Sequence, residues 1–170
     1  MLDLCAMKII PLTIEQIKPF HTALDQVCRE KIYLTRHQAP PLAKTKEFFL
    51  EITKNNSPAF IAVDNNQVIG WCDLAVHKAD NLKHSGTLGM GIIANYRGKG
   101  LGTALLKETI NAAKKLGLER IQLEVMDFND AAYKLYKKFG FTEEGRKKRG
   151  AKIEGKYADM IMMGLLLDET

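Results

Sequence analysis

The 170-residue sequence has three cysteines, Cys5, Cys28 and Cys72, an odd number with no C-x-x-C spacing. That argues against a disulfide framework or a cysteine zinc site and for reduced thiols, so the cytoplasm is the expected compartment. Long apolar runs are missing too. The longest, "MIMMGLLL" (160–167), falls far short of a membrane span. "MLDLCAMKIIPLT" at the start has neither a basic n-region nor a long apolar h-region, so no signal peptide is expected. His21, His37, His77 and His84 show no metal-ligand spacing, and Ser57 and Ser85 sit in no G-x-S-x-G. The string G-x-x-x-x-G-K-[ST] of a P-loop does not occur.

What is present suits one domain over residues 1–170, large enough to bury roughly 70% of its unfolded surface. The hydrophobic share is 46% and the charged share 26%, and the net charge of +5 suits an anionic ligand without arguing for nucleic acid. The densest cationic segment, 134–156, carries nine cations against three anions around "GRKKRG". It lacks the interleaved aromatics of a nucleic-acid stacking platform, so a solvated hairpin that steers phosphates is the favoured reading.

The element order follows from periodicity and punctuation. "AMKIIPL" (6–12) reads as an opening strand. Thr13 with Gln16 reads as a capping box before a helix to about Glu30, with Pro19 kinking or restarting it. A second helix is expected over 45–55, and strands over 59–63 and 67–76 with a hairpin turn at "DNN". Residues 86–93 read as a further strand, 101–116 as a helix closed by Gly117, 120–125 as a strand and 129–140 as a helix. The tail reads as two strands joined through "IEGK". The expected fold is mixed α/β, a mostly antiparallel sheet with one parallel crossover through the helix after Gly102.

The segment "ANYRGKGLGTALLK" (94–107) carries the chemistry. Gly98, Gly100 and Gly102 crowd a helix start, where unpaired N–H groups and the helix dipole attract anions. Glycines let ligand oxygens approach those amides, and Arg97 and Lys99 add positive charge, so a phosphate ligand is expected, a pyrophosphate in particular. A G-x-G-x-x-A match at Gly89, Gly91 and Ala94 lies inside a strand, the wrong context for a dinucleotide site.

The string R-x-x-G-x-G over Arg97, Gly98, Lys99, Gly100, Leu101 and Gly102 is similar to the acyl-CoA pyrophosphate loop of the GNAT superfamily of N-acetyltransferases. "VMDFNDAAYKLYKKFGFTEEG" resembles that family's fifth strand end, helix and turn, and the resemblance covers about residues 86–145. It implies a sheet with a splayed parallel strand pair, whose gap takes the pantetheine arm of acetyl-CoA. By the same resemblance Ile92 and Ile93 offer backbone groups to that arm, the loop through Thr103 holds the phosphates, and Asn129 and Tyr136 meet the pantetheine and the thioester sulfur. Seven residues apart, Asn129 and Tyr136 share a helix face, although an ordinary N-cap and a core aromatic would account for either one alone.

The implied reaction is direct acetyl transfer to a primary amine of a small molecule or peptide. A lysine-like amine is neutral only about once in 2,500 at pH 7, a deficit of roughly 4.6 kcal/mol, so a base or a desolvating pocket helps. Many family members carry a glutamate early on the fourth strand, where this sequence has Thr87. Glu124 is the expected replacement, with Asp73, Asp159 and His84 as further acceptor-side groups. A water chain in place of a single base stays open. Tyr136 is expected to stabilise the leaving thiolate by hydrogen bonding. The alternative is a catalytically silent acyl-CoA sensor, which would keep the cradle and need no base. The strand-rich C-terminus could pair across a homodimer.

Overall fold

A computed structural model describes residues 7–167. Seven strands form one sheet in the order β1-β2-β3-β4-β5-β7-β6. In chain order the elements are β1 (Lys8–Pro11), α1 (Ile17–Arg29), α2 (Leu42–Lys54), β2 (Ala59–Asp64), β3 (Gln67–Val76), β4 (Ser85–Ile92), α3 (Leu101–Lys115), β5 (Arg120–Met126), α4 (Asp130–Lys138), β6 (Thr142–Ile153) and β7 (Lys156–Leu166). Every neighbouring pair is antiparallel except β4 and β5. This is the expected mixed fold, with the parallel crossover running through α3.

Local chemistry explains most boundaries. The expected strand over 6–12 is observed as β1; Ala6 lies outside the described residues. Gln16 Oε1 accepts the Thr13 N–H at 3.1 Å, but this capping opens a single 3-10 turn over 14–16 and α1 begins only at Ile17. Pro19 then sits in the first turn of α1, where a missing N–H costs nothing. The second helix starts three residues earlier than expected because Pro41 serves as its N-cap. Asn65 and Asn66 both take positive φ, at 46° and 64°, and close the β2–β3 hairpin. Gly117 (φ 79°) ends α3, with its N–H on Lys114 O at 3.0 Å.

The core lies on both faces of the sheet. On one face α1 packs Phe20 against Trp71 edge-on, with ring centroids 5.6 Å apart. On the other, α3 buries Leu105, Leu106 and Thr109, and the Thr109 hydroxyl bonds to Leu105 O at 3.0 Å. Cys28 and Cys72 are free and buried, and burial pushes the Cys72 thiol up to about 12. Among the described residues no helix is long and apolar enough to cross a membrane.

Candidate active site

β4 and β5 pair only from Ser85↔Arg120 to Thr87↔Gln122, then diverge. The register on either side decides which backbone groups face the gap. His77 N–H bonds to Ser85 O and Ile93 N–H to Ile69 O, both at 3.0 Å. In an antiparallel ladder residues alternate in direction, so the odd-numbered residues of β4 point their amides and carbonyls at β3. The even-numbered residues Met90 and Ile92 therefore turn theirs into the gap. Across it, Asp127 N–H bonds to Asp159 O and Leu167 N–H to Glu119 O, so the odd residues of β5 bond to β7 and Glu124 faces the gap. Met126 O there accepts the Asn129 N–H at 2.9 Å.

The geometry corrects one expectation and sharpens another. Ile93 does not offer its amide to the gap, because that N–H belongs to Ile69, and it does not line the cleft. Ile92 does face the gap with its N–H, but its carbonyl is held by Arg97 Nε at 2.8 Å. Met90 supplies the second gap-facing amide.

At the head of the gap, Gly98 and Gly100 take positive φ, 73° and 82°, and Gly100 is the N-cap of α3. A Cβ on either would meet nothing within 4 Å, so the demand for glycine there is conformational. Gly102 is different, since its Cβ would lie 3.1 Å from Leu135 and 3.4 Å from Ile92 and Met90. The first-turn amides of Leu101, Gly102 and Thr103 have no partner inside the helix. They are the groups from which an anion cradle is expected, while the Leu101 side chain is buried in the core.

The two cations of the loop point elsewhere. Arg97 donates to Glu30 through both terminal nitrogens, at 2.7 and 2.6 Å, and its guanidinium lies 4.6 Å from the Tyr33 ring centroid. Lys99 Nζ bonds to Asn95 O at 2.6 Å and stands 5.1 Å from the Tyr96 ring. A nearby carboxylate and a nearby carbonyl thus hold the two cations. The start of α3 adds the positive end of its helix dipole beside them.

One cleft of about 970 Å³ runs from this cradle through the gap, lined by Arg97, Gly98, Gly100, Gly102, Thr103, Met90, Ile92, Glu124, Asn129 and Tyr136. Asn129 Oδ1 accepts the Ala132 N–H at 3.3 Å as the N-cap of α4. Tyr136 is buried, and its hydroxyl has Met90 Sδ at 3.9 Å as its only neighbour for a hydrogen bond among the described residues. Burial pushes its phenol well above the ordinary value, with the Cys72 thiol adding to the shift, so it stays protonated. Glu124 lines the cleft with its carboxylate bonded to Lys147 Nζ.

Of the other acceptor-side groups, Thr87 lines the cleft and its hydroxyl meets His77 Nε2 at 2.9 Å. Asp159 takes the Arg149 N–H at 2.8 Å, and His84 is exposed and does not line the cleft. Asp73 leans over Gly89, where a Cβ would lie 3.2 and 3.3 Å from its two oxygens. It has no hydrogen-bond or ion-pair partner among the described residues, and burial pushes its carboxyl up to about 7. Sequence reasoning missed the Met90 amide, the Tyr33 and Glu30 partners of Arg97, and the bonding of Arg120 to Glu144 inside the cleft. None carries a local signal, since each depends on strand register or on a distant partner.

Residues 23–141 match the family model described as the Acetyltransferase (GNAT) family. The chain belongs to that family. The L-amino acid N-acetyltransferase AaaT of Escherichia coli (strain K12) is 31% identical over 104 residues, which cover 61% of this chain and 64% of that protein, just under two thirds. N-alpha-acetyltransferase 50 of Danio rerio is 28% identical over 127 residues, 74% of this chain and 76% of the relative. Among solved structures, yncA from Salmonella typhimurium with its cofactor acetyl-CoA has a TM-score of 0.89 at 19% identity. That match covers 97% of this chain and 96% of the other, and it shows a shared fold. This member of the GNAT family thus has the sheet, the splay and the glycine loop that its sequence led one to expect.

Proposed function

We propose that this chain is an acetyl-CoA-dependent N-acetyltransferase that passes the acetyl group directly to a primary amine, with residues 1–170 acting as one catalytic unit. The observation that carries the reading is the unpaired β4 edge at Met90 and Ile92, which begins beside the α3 cradle and has the Tyr136 hydroxyl at its reactive end. The named activities of the E. coli and Danio rerio relatives, and the acetyl-CoA bound by the Salmonella protein, support it. The buried free thiols of Cys28 and Cys72 fit work in the cytoplasm.

Each part of the site has a task. The amides of Leu101, Gly102 and Thr103 hold the pyrophosphate of acetyl-CoA. Its pantetheine arm adds to β4 as a strand would, taking the amide of Ile92. The Met90 N–H, beside Tyr136, polarises the thioester oxygen and holds the charge that grows there. Glu124, on the acceptor side, takes a proton from the ammonium, and Lys147 fixes its position.

The neutral amine nitrogen then attacks the thioester carbon, the C–S bond breaks and sulfur leaves as thiolate. Tyr136 donates a hydrogen bond to that thiolate. Its raised pKa makes outright proton donation costly, so the second amine proton travels to sulfur through the hydroxyl.

The cleft continues past the gap to Thr35, Glu124 and Met162, giving an acceptor room that a sensor would not need. Thiol release from acetyl-CoA across polyamines, amino acids, aminoglycosides and peptides, with a no-acceptor control, tests the reading. Release with one acceptor class supports it, and a flat panel despite acetyl-CoA binding would favour the sensor.

A further inference from the structure

The cations that line the cleft are few, and both are engaged. Among the residues that line the cleft, Arg97 and Arg120 are the two basic ones. Arg97 is bound to Glu30 and to the Ile92 carbonyl. Arg120 sits on β5 on the same sheet face as Glu124 and donates both terminal nitrogens to the two oxygens of Glu144, at 2.7 Å for the first. Lys147, outside the lining, is held by Glu124. The Arg120 guanidinium keeps the Glu144 carboxyl below the usual carboxylate range, as a fork-to-fork pair should.

The floor beside Glu124 is apolar. Register places Met162 opposite Glu124 and Met160 opposite Met126, and all three methionines line the cleft. Tyr33 and Leu34 line it from the segment after α1. Thioether side chains adapt to varied apolar partners.

These observations bear on the acceptor. A free α-amino acid carries a carboxylate one carbon away from its amine. With the amine at Glu124, that carboxylate would lie among Glu124, Glu144 and methionine sulfur, with no free cation among the residues that line the cleft to receive it, which is costly. In a polypeptide the same position is a neutral amide.

We infer that the acceptor is the α-amine of a polypeptide's first residue, one with an apolar side chain, and that Glu144 enforces this choice by occupying Arg120. The inference rests on the acetyl-transfer reading above. Glu144 is then a specificity-determining residue, and Arg120 a carboxylate receptor already filled by the protein itself.

The test compares three acceptors that share a side chain: methionine, methionine amide and a short neutral peptide beginning with methionine. Initial rates are read by thiol release and products by mass spectrometry. The expected result is kcat/KM for the amide and the peptide about 100-fold above that for the free acid. In Glu144→Gln, which frees the Arg120 guanidinium, the ratio of free acid to amide should rise about 10-fold. Free methionine used as well as its amide by the unaltered protein would overturn the inference, as would a polyamine preferred over the peptide. If no amine is acetylated while acetyl-CoA binds, the failure lies in the acetyl-transfer reading itself.

Discussion

The guanidinium of Arg97 and the carboxylate of Glu30 meet through two hydrogen bonds, 2.7 and 2.6 Å, between residues 67 positions apart. The same arginine holds the Ile92 carbonyl at the end of β4 and lies against Tyr33. One side chain thus ties the glycine loop, the edge of the gap and the segment after α1 into a unit. Its place in the R-x-x-G-x-G string thus carries a bracing role within the fold.

Removing that brace should disturb the fold before it disturbs phosphate binding. Arg97→Ala leaves Glu30 half-buried without its partner, at a cost of about 1–3 kcal/mol. Thermal melting should show the loss, with a smaller one in Glu30→Gln. Acetyl-CoA affinity should fall to a similar degree in both variants. A loss confined to Arg97→Ala would restore the arginine as a phosphate ligand.

Gly100 is held at φ 82° with open space where a side chain would go. Gly100→Val should therefore lower acetyl-CoA affinity more than 10-fold by re-aiming the first amides of α3, at roughly 1–2 kcal/mol of local strain. Gly100→Asn, which tolerates this conformation better, should retain more affinity. Isothermal titration separates the cases, and wild-type affinity in the valine variant would refute the cradle.

Tyr136→Phe removes a buried hydroxyl whose only described hydrogen-bond neighbour is a thioether 3.9 Å away. Stability should hold or rise slightly, because no strong bond is lost. Acetyl-CoA affinity should change little while kcat falls by roughly 100-fold. An unchanged kcat in steady-state assays would remove the tyrosine from the mechanism.

Asp73 gives a pH dependence with a definite sign. Its folded-state carboxyl titrates near 7, against an ordinary value of 3.8. Between those values the native state keeps a proton that the unfolded chain has lost, so stability falls as pH rises through this window. Asp73→Asn should be more stable than the wild type at pH 8, by on the order of 2–4 kcal/mol, and the difference should vanish below about pH 4. Melting curves at the two pH values check it, and an equal difference at both would show that the carboxyl is not perturbed.

Much of this architecture is legible locally. The turn asparagines 65 and 66, Gly117 after α3 and the glycine string before it each announce a backbone event within a few residues. The boundaries that moved did so through capping: Pro41 started α2 early, and Gln16 closed a 3-10 turn ahead of α1.

What stayed hidden is set at a distance. Which of Met90, Ile92 or Ile93 faces the gap depends on the β3–β4 register, and a shift of one residue would reverse the answer. The arginine partners lie 67 and 24 residues away in Glu30 and Glu144. The basic run around residue 147 reads as free charge, yet Lys147 and Arg146 are both drawn to nearby carboxylates.

The most direct test of the central claim is residue-resolved amide hydrogen exchange with and without acetyl-CoA. The account predicts slowed exchange at Met90 and Ile92, whose amides face the gap, and at Leu101, Gly102 and Thr103. Ile93, already bonded to Ile69, should change little. Unchanged exchange at Met90 and Ile92 in the saturated protein would show that acetyl-CoA does not lie in the gap between β4 and β5, and the proposed mechanism would fall with it.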